Sequence, residues 1–337
     1  MKAALLHELK KPLVIEEIER PKPGENEVLI KVEASGVCHS DLHIIEGDWK
    51  QFGGITKIPL IPGHEVAGRV AELGSGVRDL KVGDRVGVPW IHWTCGECEF
   101  CREGFENLCS KQKITGCTVD GGYAEYIKAP ATHATRIPDA VSSAEAAPLL
   151  CAGVTVYRAI KQSQLRAGDR LAIFGVGGLG HLAIQIGKHL GAEVTAIDVA
   201  DDKLTLAESL GASRTVNATT TNVVKELRRA GSMHVVLVTS GSKAAYDTAF
   251  GCVRPTGQLM VVGLPPEISF APIMMAAKEI RVQASAVGTR QDLVEVLDMA
   301  AARKLHCQVS PRRLDEINTI FDEMKTGKIA GRVVLTF

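Results

Sequence analysis

The sequence predicts an α/β protein in which a doubly wound parallel sheet accompanies an irregular β-barrel. Three observations carry this expectation. From Arg170 onward, short apolar runs alternate with amphipathic stretches, the pattern of parallel strands joined by crossover helices. Before about residue 150 the chain instead holds many short β-type runs punctuated by glycine and proline. Its 337 residues correspond to two domains at roughly 150 residues each.

The early strands are expected at 27–32 and 85–88, with turns at Lys22-Pro23-Gly24 and Val82-Gly83-Asp84. In the second region a buried strand over 171–175 leads to a helix over 181–190, closed by Gly191. A strand over 193–198 and a helix over 202–210, closed by Gly211, follow. Apolar runs at 235–238 and 259–262 flank another helical segment, and 280–284 suits a further strand. Helical patterns around 293–302 and 314–324 precede a closing strand over 333–337. No internal repeat or low-complexity tract interrupts this order.

Composition narrows the function. Lys+Arg and Asp+Glu both number 39, so the chain lacks the net positive charge expected of a nucleic-acid binder. Hydrophobic residues make up 45% and charged residues 23%, the balance of a soluble globular protein. The N-terminal stretch lacks a secretory h-region, and no apolar run approaches about 18 residues, so a cytoplasmic protein without a membrane span is expected. Nine cysteines are too few for a disulfide scaffold, and in a reducing compartment they read as metal ligands or catalytic groups.

Three groups of residues carry chemistry. Gly175, Gly177 and Gly180, with Gly178 and Leu179 between the last two, form G-x-G-x-x-G between a strand and a helix. Such a loop brings backbone close to a pyrophosphate and aims a helix N-terminus at it. Asp198 ends the next strand, where a carboxylate binds adenosine ribose hydroxyls and repels a 2′-phosphate. No arginine follows it directly, which favours NAD over NADP. Cys95, Cys98, Cys101 and Cys109 form C-x2-C-x2-C-x7-C, which suits a closed structural zinc site, with an iron–sulfur cluster as the competitor. Further candidate ligands are Cys38 and His39 in Cys38-His39-Ser40-Asp41-Leu42-His43, then His64 and Glu65, then Cys151. Taken alone, Cys151 reads more readily as a small buried residue, and His64 as a satisfied core histidine, than as ligands.

In order along the whole chain, these motifs resemble the zinc-dependent alcohol dehydrogenases of the medium-chain dehydrogenase/reductase superfamily. The resemblance is carried by Gly63-His64-Glu65-x2-Gly68-x5-Gly74-x2-Val77, the Cys38 run, the four-cysteine segment and Asp120-Gly121-Gly122-Tyr123-Ala124-Glu125-Tyr126. Cys151-Ala152-Gly153-Val154-Thr155, the glycine loop, Val287-Gly288-Thr289-Arg290 and Gly331-Arg332-Val333-Val334 complete it. It implies a GroES-like catalytic domain over 1–151 and 287–337, with a zinc lobe at about 92–112, and a Rossmann domain over 152–286.

It also implies roles. Cys38, His64 and Cys151 would hold a catalytic zinc, with Glu65 an occasional ligand and Asp41 orienting His64. Ser40 would take the alcohol proton, and His43 would pass it on through the nicotinamide ribose. His39 and Arg332 would contact the pyrophosphate, and Asp198 and Lys203 the adenosine ribose. Thr155, Val262, Val287 and Thr289 would surround the nicotinamide end. The implied reaction is reversible oxidation of small or medium alcohols to aldehydes or ketones with NAD, by a homotetramer or a homodimer. Alternatives are a related zinc dehydrogenase acting on polyols or other hydroxyl substrates, or a non-catalytic NAD-binding protein. Ser40 stands where many relatives carry threonine, and the segment 49–58 is longer than in the common compact form. Trp49 and Trp90 are expected to wall the substrate cleft, with plain packing as the other reading.

Overall fold

The computed structural model describes residues 1–48, 57–329 and 331–337. The chain forms two compact units. The first comprises Met1–Cys151, Gly288–Ala302 and Cys307–Phe337; the second comprises Ala152–Val287 and Arg303–His306. The segment Arg303–His306 joins the second unit because the Gln185 side chain grips His306, donating to its carbonyl at 2.9 Å and accepting from its N–H at 2.9 Å.

The second unit is built on a six-stranded sheet. In spatial order its strands are Arg214–Asn217, Glu193–Asp198, Arg170–Phe174, Met233–Val238, Val253–Val261 and Arg281–Ala284. Every neighbouring pair is parallel. Parallel strands covered on both faces read as continuous apolar runs, and Leu171, Ala172 and Ile173 are accordingly buried. Phe174, Ile197, Val236, Val238, Leu227 and Tyr246 share one apolar core there. The edge strand Arg214–Asn217 buries only Val216 and so carries no apolar run. The strand Val253–Val261 begins earlier than its apolar core suggests, because Val253 already pairs with Met233. Its register then slips between Met233 and Val235, opposite a stretch holding Pro255 and Thr256 at φ 61°.

The first unit is built on seven strands, mostly antiparallel. Its centre is the ten-residue strand Glu27–Gly36, paired with Glu65–Leu73 on one side and with Arg332–Thr336 and Tyr126–Pro130 on the other. The pairing of Arg332–Thr336 with Glu27–Gly36 is how the end of the chain completes the sheet started near its beginning. Val28, Ile30, Val32, Val66, Val70 and Val86 pack into one apolar cluster of this sheet. A second cluster, including Leu6, Leu42, Ile44, Leu60 and Phe321, lies under the helix His39–Glu46. Among the described residues, no helix is long and apolar enough to cross a membrane.

Candidate metal centre and nucleotide loop

Three elements of the first unit deliver one buried cluster. Cys38 follows the central strand and N-caps the helix His39–Glu46. His64 and Glu65 stand at the start of the strand Glu65–Leu73. Cys151 lies in a π-helical turn, Leu149–Gly153. Pro148 precedes that turn and has no N–H to continue the α-helical ladder. Single π turns inside helices commonly mark functional sites. Ligand atoms of Cys38, His64, Glu65 and Cys151 all lie within 4.8 Å of one another, and all four residues are buried.

Asp41 organises this cluster. Its Oδ1 accepts from His64 Nδ1 at 2.8 Å, and its Oδ2 accepts from the Cys38 N–H at 3.0 Å and from the Tyr123 hydroxyl at 2.7 Å. Both Asp41 and His64 are 0% exposed. With Nδ1 engaged, His64 turns Nε2 toward Cys151 Sγ, 3.2 Å away. A carboxylate behind the imidazole is the usual support of a metal-binding histidine. Sequence reasoning gave Asp41 this role only by resemblance and missed Tyr123, although the motif containing it was recognised. Gly63 lets Tyr123 approach: its φ is +96°, and a Cβ there would lie 2.5 Å from the Tyr123 ring.

The proton affinities of the cluster are strongly displaced. Hydrogen bonding from the Cys151 thiol, aided by His64 and opposed by burial, holds Cys38 well below the ordinary thiol range. That same hydrogen bond, with burial, pushes Cys151 well up. Burial pulls His64 down, but Asp41 and Cys38 outweigh it and hold His64 well above its ordinary value. Burial pushes Glu65 up to about 8 against the opposing charge of Arg332. Such a cluster holds protons that a cation would displace, which couples metal affinity to pH.

Glu65 supplies the observation that tests the fit of a metal. One of its oxygens pairs with the Arg332 guanidinium, while Oε2 is buried without a partner. Gly36 makes room for it, since a Cβ there would sit 1.9 Å from Oε2. Two thiols, one oriented imidazole and an unsatisfied carboxylate oxygen fit a divalent zinc ion.

The neighbouring residues are placed as follows. The Trp90 ring meets His64 edge-on, with centroids 4.8 Å apart. Ser40 and His43 share the helix with Asp41; Ser40 is partly exposed, and His43 Nδ1 pairs with Asp48 at 2.8 Å. His39 is exposed in the same first turn. Arg332, implied at the pyrophosphate, is 6% exposed and engages Glu65. Trp49 and most of the 49–58 segment lie outside the described residues. A cavity of about 640 Å³, lined in part by Glu27, His92, Trp93 and Lys128, contains none of these ligands.

The four cysteines of the lobe also converge, with all four sulfurs within 4.8 Å. Cys95 Sγ lies 3.6 Å from Cys109 Sγ and 3.9 Å from Cys101 Sγ. Cys98 N-caps the four-residue helix Glu99–Arg102, which brings Cys98 and Cys101 one turn apart. Backbone N–H groups of Glu97 and Cys98 draw the Cys95 thiol down to about 6. All nine cysteines are free of disulfides.

In the second unit the glycine loop joins the strand Arg170–Phe174 to the helix Gly180–His189. A Cβ on Gly180 would lie 1.8 Å from the Gly175 carbonyl oxygen, so only glycine permits this approach. Asp198 is bound into the loop: Oδ2 accepts from the Val176 N–H at 2.7 Å, and Oδ1 from the N–H groups of Val199 and Ala200 at 2.7 and 3.2 Å. Thr239 adds a second stitch, donating to the Gly175 carbonyl at 2.8 Å. Neither stitch was apparent from the sequence. Lys203 and Thr155 are partly exposed, Val262 is buried, and Val287 has φ 39°. Thr289 N-caps the helix Arg290–Ala301 in the first unit.

Comparison with known proteins matches this geometry to a family. Residues 24–139 match the alcohol dehydrogenase GroES-like domain, and residues 178–302 match the zinc-binding dehydrogenase model. The chain is 48% identical to an alcohol dehydrogenase of Geobacillus stearothermophilus over 99% of this chain and 98% of the relative. It belongs to the zinc-binding alcohol dehydrogenase family. An alcohol dehydrogenase of Rhizobium meliloti is 47% identical, again over 99% and 98% of the two chains. The solved alcohol dehydrogenase of the hyperthermophilic archaeon Aeropyrum pernix superposes with a TM-score of 0.93 at 37% identity, covering 100% of each chain. Acetophenone reductase from Geotrichum candidum, solved in complex with NAD, gives 0.91 at 32% identity over 100% of this chain and 97% of its own.

Replacing Asp41 with Asn leaves the shape but removes the charge that holds His64. The variant should lose metal affinity at the buried cluster by about 10- to 100-fold, read by chelator competition; unchanged affinity would contradict the assigned role.

Proposed function

We propose that this alcohol dehydrogenase family member reversibly oxidises small and medium alcohols to aldehydes or ketones, with zinc held by Cys38, His64 and Cys151 and with NAD as hydride acceptor. The observation that carries the proposal is the buried convergence of these side chains behind Asp41. When bound, zinc supplies a redox-inert Lewis acid to the substrate oxygen, and NAD supplies the acceptor carbon. A second zinc on Cys95, Cys98, Cys101 and Cys109 is structural, because four thiolates close the coordination shell.

The chain's own residues do the remaining work. Asp41 keeps the His64 ring from rotating and fixes its Nε2 toward the cluster. Arg332 balances the Glu65 carboxylate, so the ligand set stays near neutral. The Ser40 hydroxyl takes the proton released from the alcohol, and His43, paired with Asp48, passes it toward solvent. Trp90 packs against His64 and restricts water there. In the second unit the pyrophosphate is received at the glycine loop, beside the N-terminus of the Gly180–His189 helix, whose dipole favours its negative charge. Asp198, oriented by three backbone N–H groups, receives the adenosine ribose and opposes a 2′-phosphate. Lys203, Thr155, Val262, Val287 and Thr289 complete the cofactor contacts by resemblance. The same resemblance is the basis for assigning a homotetramer, with a homodimer as the alternative.

The direct test is a panel of primary and secondary alcohols followed by NADH absorbance. Cys151→Ser should bring turnover below detection while NADH still binds within twofold of the unaltered protein. Full turnover in that variant would defeat the zinc assignment. Asp198→Gly should lower the preference for NAD over NADP by about 10- to 100-fold, the worth of hydrogen bonds to a charged group. An unchanged cofactor ratio would remove Asp198 from the ribose site.

A further inference from the structure

Glu106 sits in the four-cysteine lobe, in the short helical turn Glu106–Leu108 just before Cys109. It is 9% exposed, an unusual burial for a carboxylate on a small lobe. Its partner is Arg290, 184 residues away. Oε1 accepts the Arg290 backbone N–H at 2.7 Å and Nε at 3.1 Å. Oε2 accepts Nε at 3.0 Å and Nη2 at 2.7 Å. Arg290 Nη1 donates to the Thr132 carbonyl at 2.9 Å. Arg290 is therefore held at both its backbone and its guanidinium.

What this grip restrains is the turn before it. Val287 has φ 39°, a left-handed conformation that a β-branched residue adopts only where its surroundings impose it. Thr289 cannot adjust freely. Its N–H and hydroxyl both donate to Asp292 Oδ2, at 3.0 and 2.9 Å, and its carbonyl accepts from the Leu293 N–H at 3.0 Å. That capping box shapes the turn but does not fix its place, because both partners belong to one helix end. Glu106 does fix it, from a distant part of the chain.

We propose that Glu106 is a positioning residue for the nicotinamide end of the cofactor: through Arg290 it holds the 287–289 turn in its strained shape, so the four-cysteine lobe sets cofactor affinity as well as its own fold. The inference rests on the reading above that Val287 and Thr289 adjoin the nicotinamide end of the cofactor. It adds a task to a metal lobe otherwise assigned only to stability.

The test compares NADH with ADP-ribose, which keeps the adenosine, pyrophosphate and second ribose but has no nicotinamide. Both are titrated into the metal-loaded full chain and into Glu106→Gln by fluorescence. The variant should bind NADH about tenfold more weakly and ADP-ribose within twofold of the unaltered protein. Unchanged NADH binding overturns the proposal, as does equal weakening of both ligands, which a merely structural role would produce. If Glu106→Gln does not fold, Arg290→Lys keeps the charge and removes the forked contact, and the same two outcomes decide. An unaltered chain that binds neither ligand would overturn the cofactor reading itself, which separates that failure from failure of the Glu106 role.

Discussion

A single buried carboxylate, Asp41, is the constraint on which the buried Cys38, His64, Glu65 and Cys151 cluster depends. It receives hydrogen bonds from His64, from the Cys38 backbone and from Tyr123, and these come from three separate parts of the first unit. A carboxylate removed from water is costly unless its oxygens are satisfied. Here each donor that satisfies it also becomes fixed by it. Cys38 is placed through its backbone, His64 through its ring, and Tyr123 closes the site behind Gly63. The ligand set is thus prepared by hydrogen bonds within the protein chain.

The rest of the cluster follows electrostatically. Two thiols, an imidazole and a carboxyl crowded out of solvent cannot all carry their ordinary charges. Cys38 holds its charge most readily, Cys151 keeps its proton, and Glu65 leans on Arg332. The Arg332 guanidinium is brought there by the last strand of the chain, whose pairing with Glu27–Gly36 is a sheet-level event. Sheet completion and charge balance at the site are therefore one structural fact. The second unit repeats the economy: Asp198, proposed above for the ribose, uses its oxygens to hold the glycine loop by the Val176 N–H and the next turn by the Val199 and Ala200 N–H groups.

Local features were the most legible in the sequence. The glycine loop, the four-cysteine spacing and the apolar parallel strands each fall within a short window, so periodicity and spacing report them. Arg214–Asn217 was hidden because only Val216 is buried in it. The early start of Val253–Val261 was hidden by Pro255 and the register slip. The buried four-residue cluster lay between these extremes. Its residues were visible as candidates, but their convergence spans 113 positions from Cys38 to Cys151 (151 − 38), and spacing contains no such distance. Resemblance to a family supplied it. Neither route suggested the contact between Tyr123 and Asp41 or that between Glu106 and Arg290, since both depend on which loops the fold brings together.

The two metal sites proposed for this chain differ in kind, one closed by four thiolates and one prepared by Asp41 behind His64. Elemental analysis of the purified protein is their direct test. Two zinc atoms per chain are expected. One zinc or none per chain, or iron in place of either, would contradict this.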